Sequence, residues 1–543
     1  MSMTAAVRIR DRKIFDHMSQ YGHKSLRKTA QATGLTKDSV ARGLAALSQR
    51  NKYPESSLWE TEQGQTWLHR LVIATLYEFG IKGNLGADRI SAFFKRIQID
   101  THVATSANTL RQIMREIEEN VSEFQSKHEK QQAQKSAKVR QIVASGDETF
   151  FNDKMLLVLM ELSSGYLLME QEAQDRTYDT WQAKAQARIE QLGFQVRHFI
   201  SDRGKSLIKL ATTAFGCHPG ADIFHAQQDI SKWLGRALYG QQGRACKQLN
   251  SCKQKLASLK EKEADGAKIV QLQERVEHLN KIVNTAYEGR QAYCCAQQAV
   301  SATVHAFSIE NNKPQTSQQV EDKLKEKAQC FIQIANQYMV GDKKDTIGKF
   351  RRQIKDVSSI VDVWWLWTKE SHPIGMRGED IKQWLLYILL PVIYWHHQLK
   401  KTDSKDMKKR YEVAWRKAQV AYANHPVTAT VSAVQLDEWR SWGEWACTNF
   451  QRASSAVEGR NGILAQSYHN GRGFTKNRLA ALTTIHNYDT KRRDGSTPAQ
   501  RLYGQPFPDL FECLLDKMGP LPLPRQAREY SRPDPFLLQS VAG

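Results

Sequence analysis

Three acidic side chains in this sequence stand where they could hold divalent metal ions together. Asp147 closes the first of four predicted strands, Asp202 closes the fourth, and Glu458 lies in the first turns of a predicted helix. Mg²⁺ prefers carboxylate oxygens and water as ligands. Two such ions about 3.5–4 Å apart can cleave a phosphodiester, because one activates the attacking oxygen and the other stabilises the leaving 3′ oxygen. We therefore expect a two-ion Mg²⁺ site, with Mn²⁺ able to substitute, in which Asp147 bridges both ions and the other two acids hold one each.

The elements that would position these acids follow from the apolar pattern between residues 141 and 226. Three short apolar runs bounded by turn residues predict an antiparallel meander of strands at Gln141–Phe151, Met155–Leu162 and Gly165–Glu172. The amphipathic helix predicted next carries Tyr178, Trp181, Ala185, Ile189 and Leu192 at three- and four-residue steps and ends at Gly193. Phe194–Ser201 and Ala221–Ala226 are the fourth and fifth strands. A β-β-β-α-β unit with carboxylates closing its first and fourth strands is the core of an RNase H-like nuclease.

The predicted fold class is α+β. An RNase H-like core, a mixed five-stranded sheet with helices, is interrupted by a large all-α insertion and preceded by helical helix-turn-helix domains. The predicted parts are a helix-turn-helix domain at 1–60, a second helical domain and linker at 61–135, the core at 136–229 and 445–505, the insertion at 230–444 and a tail at 506–543.

The insertion is predicted to contain a helical hairpin and a packed aromatic core. Leucines at heptad spacing on either side of Ala264-Asp265-Gly266 predict an antiparallel helix pair, at Leu249, Leu256, Leu272 and Leu279. The tryptophan-rich helices around Trp364 and Trp384 are read as core, and one Trp stacking on an unpaired base is the alternative.

The first 52 residues have the spacing of a helix-turn-helix. Ser25 can cap a first helix, Gly34 makes the turn and Thr36 caps the second helix. The buried seam is predicted at Leu26, Ala30, Leu35, Val40, Leu44 and Leu47. Lys37, Ser39 and Arg42 would then project towards a major groove of DNA. A plain helical hairpin is the alternative.

Residues 66–130 also read as helices, and they offer a second candidate reading helix. Ser106 caps a helix on which Asn108, Thr109 and Arg111 are exposed. The polar, basic stretch Lys127–Arg140 is predicted to link this region to the core.

The charge balance points to a polyanionic partner. The chain has 543 residues and a net charge of +21, so double-stranded DNA is the expected ligand and an ordinary basic protein is the alternative. Around the acids, the DNA-contacting candidates are Arg203, Arg460, Arg472, Lys476 and Arg478, with a generic solvated face as the alternative reading. The eight cysteines have no C-x-x-C spacing, and we expect reduced thiols. With no secretory signal and no apolar run long enough to span a bilayer, we expect no membrane partner and a cytoplasmic, nucleoid-associated protein.

Three motifs in order carry a resemblance to a known family. GDET, ISDRG and SSAVEGRNG resemble the acidic motifs of DDE transposases of bacterial insertion sequences, and RRDGSTPAQRLYG is similar to the end of many such catalytic domains. The resemblance covers about residues 136–226 and 445–505, and the all-α insertion is similar in architecture to that of the hAT group. It implies Mg²⁺-dependent cleavage and strand transfer at element ends, with a homodimer or larger assembly on DNA.

Two side chains near the acids are candidates for active-site support. Cys217-His218 and His225 follow the second acid, where related transposases often carry Cys or His, and a hydrogen-bonded strand histidine is the alternative for His225. Asn461 falls on the helix face of Glu458. Two other function classes stay open, namely an RNase H-fold nuclease that cuts without joining, and a non-catalytic DNA-binding protein derived from a transposase.

Overall fold

The computed structural model describes residues 3–22, 24–135, 139–152, 154–261, 266–342, 344–373, 378–471 and 473–524. The chain divides into two compact units. We call Met1–Lys130 with Ile463–Gly543 the terminal unit, and Gln131–Gly462 the central unit. This division places residues 463–505 in the terminal unit, whereas the predicted RNase H-like core includes them.

Helices make up the N-terminal part of the terminal unit. They are α1 (Met3–Tyr21), α2 (Leu26–Thr33), α3 (Lys37–Arg50), α4 (Glu62–Thr75), α5 (Ala87–Arg96) and α6 (Ala107–Lys135), with a 3-10 segment at Pro54–Glu60 and a π-helical turn at Leu76–Lys82. The stretch Lys127–Arg140, predicted to link this region to the core, is helical up to Lys135, because α6 continues to that residue.

The predicted caps of the first helix pair are confirmed. Ser25 Oγ accepts the Lys28 backbone N–H at 3.4 Å, and Thr36 Oγ1 accepts that of Ser39 at 3.2 Å. Gly34 has φ +68°, a left-handed conformation that favours glycine. The buried cluster of this region is Ile14, Val40 and Leu47, with Ala30, Leu35 and Leu44 packed against it. Leu26, predicted in the seam, is 42% exposed instead, because α1 supplies the third wall through Ile14.

A mixed five-stranded sheet forms the centre of the central unit. Its strands are β1 (Arg140–Phe151), β2 (Lys154–Glu161), β3 (Tyr166–Ala173), β4 (Phe194–Ser201) and β5 (His218–Ala221), in the order β3-β2-β1-β4-β5. β1, β2 and β3 pair antiparallel, whereas β4 pairs parallel with β1 and β5 pairs parallel with β4. Helix α7 (Tyr178–Leu192) connects β3 to β4 and buries Trp181, Ala185, Ile189 and Leu192, which confirms the predicted period.

Two details of the predicted sheet are wrong. β1 extends to Phe151, in agreement with its predicted bounds, but Asp147 lies within the strand instead of closing it, because residues 147–151 still pair with β2. The fifth strand is His218–Ala221, and the segment predicted as that strand is largely helix α9 (Ile223–Ile230). Asp222 causes this change, because its Oδ1 caps the helix by accepting the Phe224 N–H at 2.6 Å.

The other regular elements of the described chain are helices, apart from one isolated bridge between Phe307 and Pro314. The helices are α8 (Lys205–Lys209), α10 (Arg236–Glu261), α11 (Gly266–Thr303), α12 (Ser317–Gln337), α13 (Thr346–Ser358), α14 (Ile360–Ser371), α15 (Glu379–Trp384), α16 (Leu390–Lys401), α17 (Lys405–Asn424), α18 (Ala433–Thr448), α19 (Ser455–Gly471), α20 (Lys476–Tyr488), α21 (Pro498–Tyr503) and α22 (Leu510–Lys517). Shorter π-helical turns occupy Leu210–Ala214, Ser231–Gly235 and Leu385–Leu389, and a 3-10 segment occupies Pro426–Thr430.

The helices between β5 and α19 bear out the two predictions made for that region. α10 and α11 pair through Leu249, Cys252 and Leu279, while Ala264 and Asp265 of the predicted turn lie outside the described residues. Trp364 and Trp384 are each 1% exposed and belong to one large buried cluster. Across the described residues, no helix is long and apolar enough to cross a membrane.

Candidate active site

The sheet places two of the predicted acids next to each other. β1 and β4 run parallel, and their paired positions end at Ser145 opposite Ile200. Asp147 and Asp202 each lie two residues further on, so the register brings them to neighbouring positions. Asp147 lies within β1, whereas Asp202 directly follows the last residue of β4. Their charges interact, because Asp202 raises the pKa of Asp147.

A tight turn fixes the direction of Asp202. Its Oδ1 accepts the Gly204 N–H at 2.8 Å, and the Arg203 N–H is donated to Ser201 Oγ at 3.2 Å. Arg203 itself has φ +72°, a conformation that a non-glycine residue rarely adopts. The turn holds the second carboxylate at the exposed end of the strand.

Helix α19 brings Glu458 and Asn461 to the same site. The Asn461 Nδ2 donates to Asp147 Oδ2 at 2.7 Å across 314 residues of sequence. Glu458 lies one turn earlier on the helix, and its Oε1 is 2.7 Å from His225 Nε2. His225 also acts on Asp147 through its charge, lowering the pKa of that carboxyl. The predicted support residues His225 and Asn461 therefore contact the predicted acids, although His225 lies on helix α9 rather than on a strand.

Asp222, which sequence reasoning missed, joins three elements at this site. Its backbone N–H donates to the Ser201 carbonyl at 3.1 Å, at the end of β4. Its Oδ1 caps α9, and its Oδ2 accepts the Ser454 N–H at 2.9 Å and the Ser454 hydroxyl. The signal in the sequence was an Asp before an amphipathic octet, the pattern of an N-cap, but the apolar run ADIFHA favoured a strand.

A buried polar network fixes the segment that precedes α19. Arg452 Nη1 donates to the carbonyls of Ser301 at 3.0 Å and Val304 at 2.9 Å, and it lies 3.2 Å from His305 Nε2. His305 is fully buried between the hydroxyls of Tyr394 at 2.7 Å and Tyr411 at 3.0 Å. Burial, and then the charge of Arg452, hold the pKa of His305 well below its usual value. The neutral imidazole can therefore accept the Arg452 hydrogen bond, and nothing in the sequence pattern signalled this network.

Arg460, predicted to contact DNA, is a buried structural anchor instead. Its Nε and Nη2 donate to the two oxygens of Glu170 at 2.7 and 2.8 Å. The side chains are 5% and 0% exposed, so phosphates have no access to this guanidinium. The bidentate pair ties α19 to β3 and orients the face that carries Glu458.

The Asp147 carboxyl has a raised pKa. Burial raises its pKa to about 6, and the charge of Asp202 adds to the effect, while the Glu148 N–H opposes it. Glu148 itself lies on the opposite face, where its Oε1 accepts the Trp181 indole N–H at 3.0 Å.

The donor atoms of this site fit a hard cation. Within the described ranges, one trio of His, Cys, Asp and Glu has donor atoms all within 4.8 Å of one another, and it is Asp222, His225 and Glu458 rather than the predicted trio. However, both carboxylate oxygens of Asp222 already accept backbone hydrogen bonds, from Phe224 and from Ser454. Two ions about 3.5–4 Å apart, each with ligands at about 2 Å, also accommodate carboxylates that are further than this from each other. Asn461 Oδ1 is buried with no hydrogen-bond partner in the part of the chain described, and it offers one more oxygen ligand.

The other DNA-contacting candidates have different environments. Arg203 forms an ion pair with Asp356, and Arg478 is held by Glu118 at 2.6 Å within the terminal unit, so each of these two guanidinium groups already has an acidic partner. Arg111 is 45% exposed but paired with Asp88 at 2.8 Å. Lys37, Arg42 and Lys476 are exposed, and Ser39 is half-buried at the start of α3. Arg472 lies outside the described residues.

The thiol and imidazole groups around β5 belong to Cys217, His198 and His218. Burial raises the pKa of the Cys217 thiol to about 12, and burial lowers the pKa of His198 to about 3. His198 stacks on His218 with ring centres 6.3 Å apart. All eight cysteines are free thiols, as predicted.

Part of the chain is similar to a protein family. Residues 385–530 match the model of a family of unknown function, DUF6399. No curated protein matches this chain. The matched segment contains Glu458, Arg460 and Asn461 but neither Asp147 nor Asp202, so the chain is similar to that family over the part that supplies the third acid.

Proposed function

We propose that this chain is a DNA transposase of the DDE type, which cleaves and joins DNA strands at a site made by Asp147, Asp202 and Glu458. One observation carries the proposal. Two aspartates lie at neighbouring positions of parallel strands, and the helix that carries the late glutamate donates a hydrogen bond to the first of them. Carboxyl groups with perturbed pKa values cluster at functional sites, and burial together with the charge of Asp202 raises the pKa of Asp147 to about 6.

The order of elements supports an RNase H-like core for this site. Three antiparallel strands, a helix and a fourth strand parallel to the first make the β-β-β-α-β unit, and β5 extends it on the side of β4. Helices α9 to α18 stand in sequence between β5 and the glutamate helix, where the all-α insertion is expected.

Each side chain then has a distinct role in binding Mg²⁺. When bound, a pair of ions would supply an activated oxygen nucleophile and stabilise the leaving 3′ oxygen. Asp147 has Asp202 at the neighbouring position of β4 and accepts a hydrogen bond from the helix that carries Glu458. It would contribute to both ions, while Asp202 and Glu458 would contribute to one each. Asn461 orients the Asp147 carboxylate, and His225 holds Glu458 until a cation competes for it.

Substitution of the outer acids tests the proposal directly. We expect Asp202→Asn and Glu458→Gln to abolish cleavage of labelled element-end DNA and its joining to a supercoiled plasmid, while DNA affinity is kept, because the charge of the ligand is lost but its shape is not. Asp179→Asn, an exposed acid at the start of α7, is the matched control and should cleave and join like the unsubstituted protein.

The same assay separates the competing functions. Cleavage without joined product would identify a nuclease, and DNA binding without any metal-dependent cleavage would identify a non-catalytic DNA-binding protein. Cleavage retained in either variant would remove that acid from the site.

A further inference from the structure

The terminal unit contains a groove that the sequence motifs do not predict. Its volume is about 1240 Å³, and its walls come from the loop before α5, the first turns of α6, and the end of α19 with the start of α20. Residues 80–118 and 470–478 therefore meet there, although more than 350 positions separate them in the sequence. Gly471 lies beside Asn84, since a Cβ at this position would be in ordinary van der Waals contact with Asn84 Oδ1, at 3.4 Å.

The charges along the groove are mostly positive and partly unpaired. The basic lining residues are Arg89, Arg111, Arg115, Lys476 and Arg478, and the acidic ones are Asp88 and Glu118. Both acids are already neutralised, Asp88 by Arg111 at 2.8 Å and Glu118 by Arg478 at 2.6 Å. Three exposed cations from three different helices remain without an ion pair among the described residues.

Backbone and amide donors add to this positive field. The N-terminal turns of α5 and α20 border the groove, and α5 has Gly86 at its cap position with no side-chain cap. Unsatisfied N–H groups at helix N-termini favour anions. Asn84, at φ +53°, uses its Oδ1 to accept Arg478 Nη1 at 3.0 Å, and its Nδ2 has no acceptor in the described chain.

We infer that this groove binds the phosphodiester backbone of double-stranded DNA without reading its bases. The inference deepens the proposed function and rests on it for the identity of the polyanion. The cations and N–H donors fit phosphate oxygens. The described lining residues include no aromatic side chain, so stacking of a base or a free nucleotide has no support. Arg478, held in place by Glu118 and Gly80, forms the wall of the groove rather than a free contact.

Salt-dependent binding of the full-length protein tests this inference. We compare Arg115→Ala/Lys476→Ala with Lys127→Ala/Lys130→Ala, a control that removes two exposed charges from the far part of α6. Affinity for a 30-base-pair duplex of arbitrary sequence, about three helical turns long, is measured by fluorescence anisotropy in EDTA at several salt concentrations. Each lost phosphate contact reduces the magnitude of the slope of log K against log salt by about 0.9. The slope of the groove variant should therefore be smaller in magnitude by about 1.8, and the slope of the control should be unchanged.

Every outcome of this measurement decides the question. Equal slopes and affinities for the two double variants would overturn the inference. The inference would also be overturned if inorganic pyrophosphate no longer stabilised the groove variant while the DNA binding of that variant was unchanged. The groove would then bind a small anion. Because EDTA prevents metal-dependent cleavage, a failure here is distinguishable from a failure of the proposed catalytic site, which leaves these slopes as they are. Thermal melting of each variant establishes that it is folded.

Discussion

At the scale of single residues, Asp147 carries an electrostatic cost that a binding site explains. Burial raises its pKa from 3.8 to about 6, with the Asp202 charge as a further cause. The folded state therefore binds a proton more tightly than the unfolded state does. Stability associated with this group is complete below pH 3.8 and is lost as pH rises through about 6. A cation bound at neutral pH would remove that cost.

This cost leads to a stability prediction for Asp147→Asn. A shift of about two pKa units corresponds to about 3 kcal/mol, and loss of one accepted hydrogen bond offsets about 1 kcal/mol. In EDTA we expect the variant to be more stable than the unsubstituted protein by about 1–2 kcal/mol at pH 7.5, and the gain to vanish near pH 4. Denaturant unfolding at both pH values measures it. Mg²⁺ should stabilise only the protein that retains Asp147, and a variant less stable at pH 7.5 would contradict the argument.

At the scale of elements, helix α19 is fixed to the rest of the central unit by contacts along its first two turns. Ser454 binds Asp222 just before the helix, Arg460 binds Glu170 on β3, and Asn461 binds Asp147 on β1. These contacts determine which face of the helix meets the sheet. Glu458 owes its position to them rather than to any property of its own.

The buried pair between α19 and β3 should behave as a structural contact. We expect Arg460→Met to destabilise the protein by about 3–5 kcal/mol, because the buried Glu170 carboxylate loses its bidentate guanidinium partner. The double variant Arg460→Met/Glu170→Met should recover most of this loss. Lys154→Met, which breaks an exposed ion pair with Glu172 on the same sheet, should cost at most about 1 kcal/mol. Denaturant unfolding gives all three values, and weakened DNA binding by a folded Arg460→Met would restore the DNA-contact reading.

Helix α3 is the element proposed to read the element ends. Arg42 is exposed on it, and its Nε donates to the Asp38 carbonyl of its own helix, at 3.3 Å. Arg42→Ala should lose about 1–3 kcal/mol of affinity for end DNA and little for unrelated DNA, because a base contact carries specificity. Arg27→Ala on α2 is the control. Competition binding with the two duplexes measures the difference, and equal losses on both would exclude α3 as the reading helix.

At the scale of the whole molecule, the proposed reaction needs more than one chain. Two element ends must be joined to one target in a concerted manner, so we expect at least two protein chains in the complex with end DNA. Mass photometry of the Asp202→Asn variant with end DNA gives the stoichiometry without turnover. One chain on one duplex at saturation would favour the nuclease alternative.

The local features of this protein follow from its sequence. The first four strands, helix α7 and its αL stop at Gly193, and the caps at Ser25 and Thr36 agree with the predictions, because each depends on residues within a few positions of one another. The α10–α11 pair is equally local, since its seam repeats along two consecutive helices. Asp147 and Asp202 could be selected from 57 acidic residues because strand pattern and position coincide there.

The tertiary structure alone decided how these groups are used. Arg460 and Arg478 have the same charge as Lys476, yet they are paired with acids 290 and 360 positions away, while Lys476 remains exposed. The role of Asp222 depends on its meeting Ser454, 232 residues later. Local propensity contains no information on such encounters, since they depend on how the sheet and the helices pack. The sequence therefore determines which side chains are able to do chemistry, and the packing of distant segments determines which of them come together.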